Sequence, residues 1–153
     1  LKLSKNFSLG EFLVSQTAER HGIDMDPPQY VIDNLAKLCV HVLQPIRDQV
    51  DSPLVISSGY RPTVLNQLIG GSKTSAHRHG QAADFRIVGL SPYDTVDLVL
   101  DMDLVYDQVI HEFGKWVHIG ISETPRGEVL TAYREDGATH YMAGLHHTGG
   151  NHA

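Results

Sequence analysis

In the stretch from Ser75 to Phe85, an imidazole at His77 and a carboxylate at Asp84 are separated by six residues, Gly80 and small residues among them. Neutral imidazole and ionised carboxylate are good ligands for a divalent zinc ion, and Gly80 permits a turn that brings both to one point. A hydrolytic zinc centre takes three protein ligands and leaves one position open for water, so two are not enough. Trp116-Val-His-Ile-Gly120 supplies the third. Strand alternation there sets Val117, Ile119 and Ile121 on one face and Trp116, His118 and Gly120 on the other, so His118 stands on the polar side. Taken singly, each histidine reads as an ordinary surface or core residue. The combination is what points to a metal.

The elements that must position these groups follow from the same residue patterns. Ser8 and Glu11 form a capping box, with Phe7 placed to staple against Phe12, so a first helix is expected from there to Gly22. A second helix is expected from an Asp26 cap and Pro27, with Val31, Ile32, Leu35, Leu38, Cys39, Val42, Leu43 and Ile46 at helical period. Pro45 should kink or split it. Leu54 to Ser57 reads as a buried strand, Pro62 to Leu68 as a short helix and Ala83 to Val88 as a strand with Asp84 and Arg86 opposite Ala83, Phe85 and Ile87. Ser91-Pro92 starts a helix to about Leu100, and Tyr106–Glu112 with Trp116–Ile121 form a hairpin. Glu128 to Tyr133 adds one strand. Helices placed mainly before strands argue for an α+β domain over 1–134, an antiparallel sheet with helices on one face and the zinc site on the open face. The Gly- and His-rich stretch 135–153 is expected to be a loosely ordered tail.

Composition removes several function classes. The chain's 153 residues suffice for one domain with a true core. With 18 acidic against 12 basic residues and a formal charge of -6, no basic run is available to displace phosphate counterions, so nucleic acid is not expected as a partner. No apolar run approaches the roughly 20 residues of a membrane span, and Leu1 to Lys5 lacks the apolar core of a secretory signal, although a trimmed signal or tag is compatible with a start lacking Met. The single cysteine, Cys39, lies on the apolar helical stripe and reads as a small core residue.

Three separated motifs occur in order: Ser57-Ser-Gly-Tyr-Arg-Pro62, then Ser75-x-His77-x-x-Gly80-x-Ala82-x-Asp84, then Trp116-Val-His118. Together they resemble the zinc D-Ala-D-Ala carboxypeptidase family, which includes phage and bacterial enzymes that cut peptidoglycan stem peptides and shares its fold with the D,D-dipeptidases and the Hedgehog amino-terminal domain. The resemblance runs from about Phe7 to Tyr133. It implies one zinc ion held by His77, Asp84 and His118, a bacterial cell-wall peptide as substrate, action on the wall as a monomer, and either an endolysin or a wall-remodelling enzyme. It also implies that Arg61 contacts the substrate and stabilises the tetrahedral intermediate, and that Ser75 helps to hold the substrate. D-Ala-D-Ala, a D-Ala cross-link and L-Ala-D-Glu are all bonds cut by relatives.

A general base must take the proton of the attacking water and deliver it to the leaving amine. In the D,D-dipeptidases and several endolysins it is an acidic residue three positions before the last histidine ligand, but that position here is Lys115. Glu112 and His111 are the candidates, and hairpin register separates them. A loop of odd length at Phe113-Gly-Lys115 pairs Glu112 with Trp116 and sets it on the His118 face; a loop of two or four residues sets His111 opposite His118 instead. We favour Glu112, while related carboxypeptidases seat a histidine in this region. Asp107 reads as a strand-start carboxylate, His79 as an exposed loop residue, and His140, His146, His147 and His152 as tail residues. Tyr60, Tyr106 and Trp116 fit either a substrate groove or the core. Lys115 also keeps open a non-catalytic zinc domain on the same fold, whereas a zinc-free structural module fits poorly with three intact ligands.

Overall fold

The computed structural model describes residues 1–148; His152 lies outside the described residues. A small pair of strands, β1 (Lys2–Ser4) and β2 (Phe7–Ser8), precedes a 3₁₀ turn and the helices α1 (Gln16–Arg20), α2 (Gln29–Leu38) and α3 (Gln44–Asp48). The main sheet contains β3 (Leu54–Ser58), β4 (Ala82–Ile87), β5 (Gln108–Glu112), β6 (Trp116–Gly120), β7 (Glu128–Glu135) and β8 (Ala138–Ala143), in the spatial order β3-β4-β6-β5-β7-β8. Helix α4 (Thr63–Leu68) follows β3, and α5 (Pro92–Asp101) joins β4 to β5.

The capping box forms, with Ser8 N–H donating to Glu11 Oε2 at 2.7 Å, and Phe7 meets Phe12 at a ring separation of 6.3 Å. It closes only the 3₁₀ turn Leu9–Phe12, because the Phe12 carbonyl accepts from Tyr60 N–H at 2.8 Å and is diverted to the loop after β3. The helix restarts at Ser15, whose hydroxyl accepts from Ala18 N–H. Helix α2 begins at Gln29 rather than after Asp26, since a residue before proline is driven to extended backbone and Pro27 precedes Pro28. Pro45 does not interrupt the helical run, which continues from Gln29 to Asp48. Its missing N–H is absorbed by a π turn over Cys39–Leu43, in which Gln44 N–H bonds to Cys39 C=O.

Leu35, Leu38, Cys39, Val42, Leu43 and Ile46 therefore stay on one buried stripe against Phe85, Val109, Val117 and Ile119 of the sheet. Burying each large side chain of this kind contributes about 2 kcal/mol. Cys39 is a core residue, its thiol pushed up to about 12 by burial and the charge of Glu11. Among the described residues, no helix is long and apolar enough to cross a membrane.

Two expectations are corrected. The sheet is mixed, not antiparallel, because β7 runs parallel to β5. The segment from β6 to β7 passes the start of β5, where Gly127 N–H bonds to Tyr106 C=O and Glu128 N–H to Asp107 C=O, so β7 begins beside Gln108. The stretch after residue 134 is also structured in its described part: β7 continues through Glu135, and β8 pairs with it from Ala138 to Ala143. Asp136 and Gly137, with φ of 55° and 75°, provide the left-handed pair that a tight hairpin turn requires.

Candidate active site

Loop, strand and hairpin converge on one face of the sheet. Asp84 of β4 pairs with His118 of β6, and His118 pairs with Ile110 of β5. His77 arrives from outside the sheet on a 3₁₀ turn over Ala76–His79, where Ser75 Oγ accepts from the His77 N–H. Gly80 ends that turn at φ 70°, and a Cβ there would lie 2.8 Å from the Val31 carbonyl oxygen, so only glycine lets the turn press against α2. Asn34 Nδ2 donates to the His79 carbonyl at 2.9 Å and fixes the same contact.

His77 Nε2 lies 3.2 Å from Asp84 Oδ1, His118 Nδ1 lies 3.0 Å from the same oxygen, and the three ligand atoms all fall within 4.8 Å of one another. Tetrahedral zinc ligands at ordinary bond lengths are roughly 3.3 Å apart, so the donor set is close to size. His77 Nδ1 donates to the Gly59 carbonyl at 2.8 Å; because a carbonyl only accepts, Nδ1 carries the proton and Nε2 turns a lone pair toward the carboxylate. Two acceptors thus face each other in a buried place, which calls for a cation between them. Burial lowers the proton affinity of His77 despite the neighbouring Asp84, which leaves the Nε2 lone pair available to a metal ion. Burial pushes Asp84 up, but the charge that His77 and His118 carry when protonated, with the hydrogen bonds they then donate, outweighs it and holds the carboxyl well below the usual range. Its other oxygen, Oδ2, accepts from Arg61 NH2 at 3.0 Å, leaving Oδ1 to the histidines.

The hairpin loop has three residues, with Phe113 and Gly114 at φ 59° and 67°, and Glu112 pairs with Trp116. Glu112 therefore shares the His118 face, with Oε1 3.9 Å from His118 Nδ1. Burial and the Asp84 charge push its carboxyl up to about 7, against the opposing pull of His118, Trp116 and Arg61. Trp116 Nε1–H is buried beside it without meeting full hydrogen-bond geometry. His111, one residue earlier, is turned to the opposite face. It is 2% exposed, donates Nδ1–H to the His146 carbonyl at 3.0 Å, and meets Tyr93 edge-on. It does not join the site, because adjacent residues of a strand point to opposite sides.

A family model of peptidase M15 matches residues 5–120. The chain belongs to the peptidase M15 family. No curated protein matches it significantly. As an M15 peptidase it is a metallopeptidase, and the His77, Asp84 and His118 cluster is where it can hold a metal.

The remaining residues of interest distribute around this M15 site. Arg61 and Ser75 line the same cleft, of about 480 Å³, with Glu112, Trp116 and Tyr141. Arg61 Nε also donates to Ser58 Oγ at 3.0 Å. Asp107 accepts a two-pronged bond from Arg126 and clamps the crossing loop before β7. Lys115 is exposed in the hairpin loop. Tyr60 is buried in the core and Tyr106 packs against it, whereas Trp116 faces the cleft. His79 bonds to the Tyr30 hydroxyl, His140 stacks on Tyr133, and His147 stacks on Tyr93. Sequence reasoning missed Tyr141, whose strand is signalled by Asp136-Gly137, a pair suited to a tight hairpin turn.

Proposed function

We propose that this M15 peptidase hydrolyses an amide bond of peptidoglycan stem peptides, with one zinc ion held by His77, Asp84 and His118. The observation that carries the reading is the convergence of those three side chains beside the Glu112 carboxylate in one cleft. The family and the order of the three sequence motifs support the wall-peptide substrate. Zinc, when bound, acidifies water and polarises a carbonyl.

The chain's own residues do the rest. Glu112, beside His118 on the cleft face, accepts the proton of the attacking water and returns it to the amide nitrogen as the carbon–nitrogen bond breaks, so that one water and one amide give one carboxylate and one amine. Glu112 thereby takes the part that Lys115 cannot play. Arg61 fixes Asp84 Oδ2 and brings positive charge to the rim where negative charge develops on the carbonyl oxygen. Ser75, at the start of the turn that carries His77, is placed to hold the peptide.

The test is to purify the protein without chelators, measure bound zinc and follow release of new amines from purified peptidoglycan, with mass analysis of the fragments. One zinc per chain and chelator-sensitive amine release are expected. Retention of zinc with no release from any wall preparation would leave a non-catalytic zinc domain as the better reading.

A further inference from the structure

Beyond the family match, the chain adds one more side chain to the cleft. Tyr141 of β8 pairs with Ala132 of β7, Ala132 pairs with Glu112, and Glu112 pairs with Trp116. Paired residues on neighbouring strands share a face, so these four form one row across the sheet. The adjacent row contains Asp84, His118, Ile110, Leu130 and Ala143. In these two rows Tyr141 is therefore the one polar side chain that β7 and β8 contribute. Ala132, only a methyl, is 0% exposed beneath its larger neighbours, while Tyr141 is 56% exposed and lines the cleft.

The strand that presents Tyr141 is an edge, and an edge left to itself frays. This one is pinned at both ends. Asp136 and Gly137 close its turn. At the far end Gly144 N–H bonds to Val129 C=O at 2.8 Å, Thr131 Oγ1 donates to Gly144 C=O at 2.8 Å, and His146 N–H donates to Thr131 Oγ1 at 2.9 Å. Beyond it, His146 C=O accepts from His111, and the His147 ring stacks on Tyr93 at 3.7 Å. His111, turned away from the chemistry, helps to hold the strand that carries Tyr141.

Resting on the peptidase reading above, we propose that Tyr141 is a substrate-contacting residue: its hydroxyl donates a hydrogen bond to a backbone carbonyl of the peptide, and its ring forms the wall of the cleft opposite Arg61. Arg61 follows β3 and Tyr141 lies on β8, the two edges of the sheet, so a peptide held between them runs across β4, β6, β5 and β7 over His118 and Glu112. Burial and the nearby Glu112 charge both raise the phenol's pKa, which keeps the donor proton in place.

The experiment compares wild type, Tyr141→Phe and Tyr141→Ala on soluble peptidoglycan fragments, with zinc content and thermal melting measured on the same preparations. Tyr141→Phe should lower kcat/KM about 5- to 10-fold, the worth of one neutral hydrogen bond, mainly through a higher KM. Tyr141→Ala should lose several-fold more as the aromatic wall goes, with zinc and melting temperature unchanged in both. Wild-type kcat/KM in both variants, or a loss that follows lost zinc or a lower melting temperature, overturns the assignment while the peptidase reading stands. No amine release by the wild type itself overturns that reading, and this inference with it.

Discussion

On the helix-covered face of the sheet, Ala83, Phe85, Val109, Val117 and Ile119 are fully buried among aliphatic side chains from the α2 to α3 rod and α5. On the cleft face, the same strands present Asp84, Glu112, Trp116 and His118, and Asp84 gathers Arg61, His77 and His118 at hydrogen-bond distance. The first face is held by many interchangeable contacts, so that volume matters more than identity. The second is held by few, directional ones. His111 and Glu112 make the contrast within a single peptide unit: one belongs to the packing that anchors the C-terminal strap, the other to the chemistry.

The largest effect should come from removing a cleft ligand. His118→Ala is expected to lose most bound metal and at least about a thousand-fold in activity while remaining folded, as general base and charge stabilisation cannot act without the metal. Metal analysis beside a melting curve measures it; full zinc occupancy in that variant would remove His118 from the ligand set.

Next in size is the contrast between neighbours. Glu112→Gln keeps shape but cannot accept a proton, so turnover should fall roughly 100-fold or more with zinc retained. The pH profile sharpens this. A base must be ionised, so kcat/KM should fall as pH drops, on a limb between the ordinary carboxyl range and about 7, since the nearby dication pulls the Glu112 carboxyl down from its metal-free position. Glu112→Gln should abolish that limb. His111→Ala should leave turnover within a few-fold and instead cost about 1–3 kcal/mol of stability, for the lost bond to the strap. The reverse ranking of the two variants would show that the chemistry lies on the wrong face of this account.

Of the same order as Glu112→Gln is Arg61→Ala, expected to reduce turnover by about two orders of magnitude. Because Arg61 also holds Asp84 Oδ2, zinc affinity should weaken modestly in the same variant. Unchanged turnover and affinity would mark Arg61 as a turn residue.

Local signals that depend on period were readable in the sequence. Alternation sets Phe85 on the core face and Asp84 off it, whereas the hairpin's loop length, open in the sequence, is fixed by the observed pairing of Glu112 with Trp116. What was hidden depends on contacts distant in sequence. The parallel pairing of β7 with β5 is set by a crossing loop clamped through Arg126 and Asp107, and a strand pattern carries no direction. The first helix was broken by Tyr60 claiming the Phe12 carbonyl, and no cap motif foretells that. Pro45 in a helical run signals a kink or a split, but the run can widen to a π turn while keeping its buried stripe. The strand β8 was different: Asp136-Gly137 is a local hairpin signal, overlooked because the surrounding glycines and histidines suggested a tail.

Anomalous diffraction at the zinc edge from crystals grown without added metal locates the ion directly. The account predicts one strong peak in the cleft, in contact with His77 Nε2, Asp84 Oδ1 and His118 Nδ1, with the Glu112 carboxylate beside it. A peak at other histidines, such as His140 or His147, and none in the cleft of protein shown to be active, would contradict it.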